Sequence, residues 1–331
     1  MGALGILQKV LCVAGASRSG FTRQYSFGCV SPFVSADAHL RSLRRDYSAA
    51  SSQRDILVVD FDDTCTAGDT ISHLVSATMM RLGGDSNNEE KLRLYEELVR
   101  EYVIRRKTLM NDLLLPNMRE RKGEAWLQAF LHSTSVFDID SNNIAIESRL
   151  LAGATMESLR NAARNVQFRP HCIETLTDAM ERGMDLTIVS VNWSSEFIWA
   201  AFEQSPLRSY KDRPIRIVAN SLDFEGDKTT GLLRSRPCQT ALDKQQIMKE
   251  IHSMCRYSMY VGDSVTDIGS LLQASTGIIM GNDPVLREVL QHAGISVVPL
   301  QQHTGAPQQD PMTLYHTDSW HDISKIYKRF A

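Results

Sequence analysis

At 331 residues, with 43% hydrophobic and 23% charged side chains, the chain has a globular composition and is long enough for more than one folded unit. A formal net charge of -3 gives no reason to expect a nucleic-acid binder. No apolar run approaches the ~20 residues that a membrane-spanning helix requires. The six cysteines show no CxxC pair and no zinc-ligand spacing, and are expected to be reduced.

The charge is unevenly spread. Residues 1–54 carry seven basic side chains against two acids, a net +5 that leaves -8 for the rest, and the first 36 residues contain no acid. A leader rich in Arg and Ser and poor in acids reads as an organelle transit peptide. The stretch Arg45-Asp46-Tyr47-Ser48 resembles a mitochondrial processing site, and Arg23-Gln24-Tyr25-Ser26 repeats the pattern. A mitochondrial address is expected, with a plastid as the alternative.

Ile56-Leu57-Val58-Val59 is the first strand signal, a β-branched apolar run suited to burial on both faces of a parallel sheet. From residue 69 to 168 such runs disappear. Ile71, Leu74, Val75, Thr78, Met79 and Leu82 share one helical face, as do Leu92, Tyr95, Val99, Tyr102 and Val103. Trp126–Leu131 and Ile144–Val166 continue the helical pattern. Further strand runs follow at Leu186–Val189, Ile215–Ala219, Met259–Val261, Gly277–Met280 and Ile295–Val298. Helical patterns at Cys172–Arg182, Ser195–Phe202, Lys244–Met254 and Asp283–Ala293 lie between most of them. This alternation predicts an α/β fold with a doubly wound, mostly parallel sheet. An all-helical insertion, residues 69–168, divides a core made of 55–68 and 169–331. The segment His303–Asp310 reads as an exposed loop before a closing helix near Ser319–Phe330.

Strand ends carry the chemistry. Asp60-Phe61-Asp62-Asp63-Thr64 follows the first strand, and ligands of open α/β sheets bind beyond the carboxyl ends of the strands. Crowded carboxylates repel unless a cation joins them. The D-x-D spacing puts Asp60 and Asp62 on the same side of an extended chain. One acid can attack an electrophile and ligate a metal while the other handles protons. Alone, this pattern would more often be a solvated acidic turn. A second strand, Met259-Tyr260-Val261, delivers Asp263 and Asp267 across a turn led by Gly262, and two such strand ends together suit Mg²⁺. Ser190, after Leu186–Val189, and Lys244, nineteen positions before Asp263, can bind and neutralise a phosphoryl group.

Asp60-x-Asp62-x-Thr64, Ser190, Lys244 and Gly262-Asp263-x-x-x-Asp267 resemble, in order, the four motifs of the haloacid dehalogenase (HAD) superfamily. The resemblance implies that Asp60 attacks phosphorus to form an aspartyl-phosphate and that Asp62 serves as general acid, then general base. It implies Mg²⁺ held by Asp60, the backbone carbonyl of Asp62 and Asp263, with Asp267 ligating directly or orienting through water. Ser190 and Lys244 would bind phosphoryl oxygens. Dehalogenases of the superfamily lack an acid at position 62 and its P-type ATPases have Thr there, so Asp62 points to a phosphatase or phosphomutase.

A helical insertion after the first motif resembles the caps that cover small soluble substrates, which implies a small phosphate ester. Val59–Thr66, Ser190–Ser194, Tyr260–Leu272 and the tail from Gly277 to Trp320 resemble the HAD domain of plant thiamin monophosphate phosphatases, which often follows a thiaminase-II-like domain that is not expected here. Pyrimidine 5′-nucleotidases and phosphoserine phosphatases share the core and a helical cap, and a catalytically idle binding protein is a more distant alternative. Thr64, Asp69, Asn192 and Trp193 are candidate substrate contacts. Asn192 and Trp193 are expected at the pocket mouth. Trp193 either stacks on a cationic or pyrimidine ring or packs beneath the cap. Asp69 and Thr70 either touch substrate or cap the next helix. Nothing in the sequence sets an oligomeric state.

Overall fold

The computed structural model describes residues 54–79, 85–114, 123–209, 215–303 and 312–327. The predicted leader, apart from Arg54, and the predicted loop His303–Asp310, apart from His303, lie outside the described residues, as does Leu82; His303 itself is buried, not part of an exposed loop.

In chain order the strands are β1 (Asp55–Val59), β2 (Ala152–Thr155), β3 (Asp185–Val189), β4 (Arg216–Val218), β5 (Ser221–Glu225), β6 (Lys228–Ser235), β7 (Tyr257–Gly262), β8 (Thr276–Met280), β9 (Ser296–Pro299) and β10 (Thr313–Thr317). Seven of them form one sheet in the order β4-β3-β1-β7-β8-β10-β9. Every pairing in it is parallel. The fold is therefore α/β, with the mostly parallel sheet that the strand runs predict. β1 lies inside it, beside the central β7: the chain first extends the sheet on one side through β3 and β4, then returns to add β7 and β8 on the other. That reversal puts a crevice at the carboxyl ends of β1 and β7. Successive residues of β1 face opposite layers, Leu57 and Val59 into one apolar core and Ile56 and Val58 into the other.

The helices are α1 (Ile71–Ala77), α2 (Asp85–Leu113), α3 (Glu124–Glu147), α4 (Met156–Ala163), α5 (Cys172–Glu181), α6 (Ser195–Phe202), α7 (Ala241–Ser253), α8 (Ile268–Gln273), α9 (Pro284–Ala293) and α10 (Trp320–Tyr327). Helices α1 to α4 make up the insertion, which also contains one strand. The run Ile144–Val166, predicted as continuous helix, stops at Glu147 and turns through Arg149 at φ 57° and Gly153 at φ 90° into β2. The helix restarts at Met156 because the Thr155 hydroxyl accepts from Ser158 N, capping α4. β2, β6 and β5 form a small antiparallel sheet that no apolar run announced. Gly226, at φ 62°, makes the tight β5–β6 turn.

The insertion leaves and re-enters the core through a two-stranded neck. Thr66 bridges Phe168, Ala67 N donates to Gln167 O at 2.7 Å, and Arg169 N donates to Cys65 O at 2.8 Å. Helix α3 packs onto the core through Trp126, whose ring meets His292 of α9 edge-on at 4.2 Å. Asn142 and Asn143 near its other end accept from Trp193 Nε1 and Arg236 Nη1, both at 2.9 Å.

Candidate active site

The two strand ends that carry acids lie side by side. Asp60 N donates to Val261 O at 2.9 Å, which brings the residue after β1 next to the Gly262-Asp263 turn after β7. Lys244 reaches them from the first turn of α7, which starts where the Thr240 hydroxyl accepts from Asp243 N at 3.1 Å. Its fully buried ammonium is 2.8 Å from both Asp60 Oδ1 and Asp267 Oδ1.

Asp267 is spent on protein contacts. Its Oδ1 accepts from Lys244 Nζ at 2.8 Å and from Tyr260 OH at 2.7 Å. Its Oδ2 accepts from Asp263 N at 3.2 Å, Ser264 N at 3.1 Å and Ser264 Oγ at 3.1 Å. The carboxylate thus folds the turn that presents Asp263 and holds Lys244 against Asp60. Gly262 is required there, since a Cβ would lie 2.4 Å from Asp267 Cγ. Asp263 Oδ1 accepts from the Thr64 hydroxyl at 3.0 Å, which braces it from the β1 side.

Asp62 is held apart from this cluster. Its Oδ1 accepts from Thr70 N at 2.8 Å and Thr70 Oγ1 at 2.6 Å, and its Oδ2 accepts from Asn192 Nδ2 at 2.9 Å. The D-x-D pair therefore divides: Asp60 enters the acid–lysine cluster, while Asp62 is oriented by the first residue of the insertion's entry and by the loop after β3. Ser190 directly follows that strand, buried, with its oxygen accepting from Asn192 N at 3.1 Å, an arrangement that leaves the hydroxyl proton to be donated.

The electrostatics follow from burial. Burial pushes the Asp60 carboxyl well up, opposed by Lys244 and reinforced by Asp267 and Asp263. Burial also raises Asp62, against the hydrogen bonds from Thr70 and Asn192, and raises Asp263. Burial alone would lower Lys244, but Asp267 and Asp60 drive it above its ordinary value. An oxygen of each of Asp60, Asp263 and Asp267 lies within 4.8 Å of the others. Three buried carboxylates against one ammonium are short of two positive charges, the charge of one divalent cation. An all-oxygen donor set suits Mg²⁺, so the residues fit such an ion. With Asp267 saturated by five hydrogen bonds, Asp60 and Asp263 are the side chains left to ligate it.

Asn192, expected at a pocket mouth, is buried instead, with Nδ2 on Asp62 and on Thr70 Oγ1 at 3.1 Å and Oδ1 accepting from Ser194 N at 3.1 Å. A short amide two residues beyond Ser190 is turned back toward Asp62 by its own Asx turn. Trp193 packs against the apolar core and hydrogen-bonds Asn142 of α3, so it ties the β3 loop to the insertion. Asp69 Oδ1 accepts from Ile71 N, the first residue of α1, at 2.9 Å. Its carboxyl is pushed up to about 8, by burial first and then by Asp62. Sequence reasoning gave no role to Tyr260 and left Thr70 as a substrate contact or a helix cap. The alternation of β7 could have flagged the tyrosine, because Tyr260 and Gly262 share a face.

No protein-family model matches the chain. It is 25% identical over 307 residues to the bifunctional TH2 protein, mitochondrial, of Arabidopsis thaliana, a match that covers 82% of this chain and 49% of that protein. The chain thus spans about half the length of that relative. A CTO1 family protein of Schizosaccharomyces pombe is 23% identical over 296 residues, covering 82% of this chain and 99% of that protein. Among solved structures, cytosolic 5′-nucleotidase IIIB bound to cytidine aligns with a TM-score of 0.49 at 14% identity, covering 88% of this chain and 92% of that one. A phosphoserine phosphatase in apo form aligns with a TM-score of 0.46 at 15% identity, covering 83% and 98%. In its parallel sheet and in the order of its four strand-end motifs the chain resembles HAD phosphatases, and in sequence it is similar to the TH2 protein.

Proposed function

We propose that the chain hydrolyses phosphate monoesters through Asp60, and that its substrate is thiamin monophosphate. The observation that carries the chemistry is the separation of the two acids, Asp60 against Lys244 at 2.8 Å and Asp62 on Thr70 and Asn192. Lys244 lies against Asp60 and favours its carboxylate form in opposition to burial, and from that form a carboxylate oxygen attacks phosphorus while the ester oxygen leaves. Burial raises the Asp62 carboxyl, which favours the protonated form needed to deliver a proton to the leaving oxygen. Asp62 then takes a proton from the water that hydrolyses the aspartyl-phosphate, releasing phosphate and restoring Asp60. Ser190 and Lys244 donate to the phosphoryl oxygens as their charge grows. Asp60, Asp263 and the backbone carbonyl of Asp62 would hold Mg²⁺, which would supply the remaining positive charge.

Residues 55–68 and 169–331 form the catalytic core in this reading, and 69–168 the cap. A cap anchored through Trp193 and Trp126 limits access to small molecules. Thiamin monophosphate is supported by the resemblance of Val59–Thr66, Ser190–Ser194 and Tyr260–Leu272 to the corresponding plant phosphatases, and by the similarity to the TH2 protein. The leader composition and that relative's mitochondrial name support a mitochondrial address.

The test is phosphate release with Mg²⁺ from thiamin monophosphate, UMP, CMP, phosphoserine and pyridoxal phosphate. The highest kcat/KM is expected for thiamin monophosphate, and Asp60→Asn should abolish all activity. A clear preference for a nucleotide or phosphoserine would overturn the substrate, and an active Asp60→Asn variant the nucleophile.

A further inference from the structure

The hydrogen bonds on the Asp62 carboxylate arrive from outside its own strand end, two from Thr70 and one from Asn192. The side-chain protons of this group each have one destination. Asn192 Nδ2 carries two, one for Asp62 Oδ2 at 2.9 Å and one for Thr70 Oγ1 at 3.1 Å. The Thr70 hydroxyl gives its own to Asp62 Oδ1 at 2.6 Å. The ring of Asp62, Thr70 and Asn192 is therefore closed, and it fixes the plane of the carboxyl group only while both partners keep their places.

Thr70 is placed by the start of α1, which it immediately precedes. Asn192 stands in the loop between β3 and α6, and two sets of bonds aim its amide. Ser194 N donates to Asn192 Oδ1 at 3.1 Å, closing an Asx turn with Trp193 at its centre. Asn220, between β4 and β5, donates through Nδ2 to the carbonyls of Val191 and Asn192, both at 3.1 Å, and accepts from Ser195 N at 2.7 Å. The core thus clamps the turn on either side of Trp193. Trp193 itself is fixed by the cap: its Nε1 donates to Asn142 Oδ1 of α3 at 2.9 Å. An indole has a single N–H and no acceptor, so this bond uses the whole polar capacity of the side chain. The next residue of α3, Asn143, accepts from Arg236 Nη1 at 2.9 Å, between β6 and α7, and keeps this stretch of the helix seated.

We propose that Trp193 and Asn142 are positioning residues for the general acid: their bond holds the centre of the turn that aims Asn192 at Asp62, so the orientation of Asp62 depends on the seat of α3. A catalytic group must be held within roughly 0.5 Å and 10–20° of its working geometry. Without the indole bond the turn loses its anchor on the cap side, Asn192 Nδ2 loosens from Asp62, and the acid keeps only Thr70. Asp60 is held separately, by Lys244 and through Val261 O, so the nucleophile is spared. The consequence is selective. An ester with a strongly basic leaving oxygen needs the proton from Asp62, whereas p-nitrophenolate leaves with little help.

This rests on the phosphatase reading above, and the experiment separates the two. The full chain with Mg²⁺ is assayed on glycerol 2-phosphate and on p-nitrophenyl phosphate, and the ratio of the two kcat/KM values is followed across variants. Trp193→Phe removes the N–H and Asn142→Leu the acceptor; each lowers that ratio about 3- to 10-fold, the worth of one neutral hydrogen bond. Asn142→Asp keeps an acceptor in the same place and returns the ratio to the wild-type value. Trp193→Phe combined with Asn142→Leu lowers it no further than either alone, because both remove the same bond. A general loosening of the fold would lower both substrates together. Equal loss on both esters, a ratio unmoved by both single variants, or an Asn142→Asp ratio as low as that of Asn142→Leu overturns the positioning role and leaves the phosphatase reading intact. A wild type that releases phosphate from neither ester overturns that reading, and the positioning role with it.

Discussion

Replacing Asp267 with Asn tests whether this acid organises the site or ligates the metal. The substitution keeps the shape but converts one oxygen into a donor. If the amide nitrogen faces Oδ1's partners, it meets the Lys244 ammonium at 2.8 Å and the Tyr260 hydroxyl at 2.7 Å. If it faces the other way, it meets two backbone N–H groups and the Ser264 hydroxyl at 3.1–3.2 Å. Either orientation loses at least two of five hydrogen bonds, and removes the charge that faces a fully buried lysine. Breaking a buried pair from one side costs about 3–5 kcal/mol. Because Lys244 keeps Asp60 at 2.8 Å, the lower end of that range is expected. Chemical denaturation should show this loss of stability. Phosphate release from p-nitrophenyl phosphate should fall at least about 100-fold, as the Asp263 turn and Lys244 both lose their support. Excess Mg²⁺ should restore little of it. A variant of unchanged stability whose activity returns as Mg²⁺ is raised would refute the reasoning and make Asp267 a direct ligand.

Gly262→Ala should damage the same carboxylate from the other side. Its Cβ would lie 2.4 Å from Asp267 Cγ, which five donors hold in place, so denaturation should show a loss of about 1–3 kcal/mol together with a fall in kcat. Asp62→Asn should lower kcat about 10²- to 10⁴-fold, with the larger loss on substrates of poor leaving group, read by comparing an alkyl phosphate with p-nitrophenyl phosphate. Asp138 provides a pH test. Burial, opposed by Arg106, pushes its carboxyl up to about 6, above the unfolded value, so its ionisation above pH 6 costs stability and protonation below that relieves the cost. Wild type should therefore gain up to about 3 kcal/mol relative to Asp138→Asn as pH falls from 7.5 through 6 toward 4. A constant difference across that range would contradict the burial of the group.

The motif residues were legible because their chemistry is local to strand ends. The run Ile56–Val59 is buried on both faces, so it had to be apolar, and the acids at 60 and 62 stand out against it. The same holds for Met259–Val261 before Asp263. β2, β5 and β6 escaped notice because they are short, carry Gly and polar residues, and gain their order from pairing with one another.

By itself, then, the amino-acid order determined a parallel α/β core, a helical insertion after its first strand, and a set of acids, a serine and a lysine delivered to one edge. Tertiary structure decided what each of them does. Asn192 meets Asp62 across 130 positions, Thr64 meets Asp263 across 199, and Lys244 joins Asp60 to Asp267. A hydrogen bond depends on where two side chains end in space, and separations of this size leave no periodic trace in the chain. Packing also turned Trp193 into a tie between core and cap, a feature that exists only once the cap is seated on the sheet.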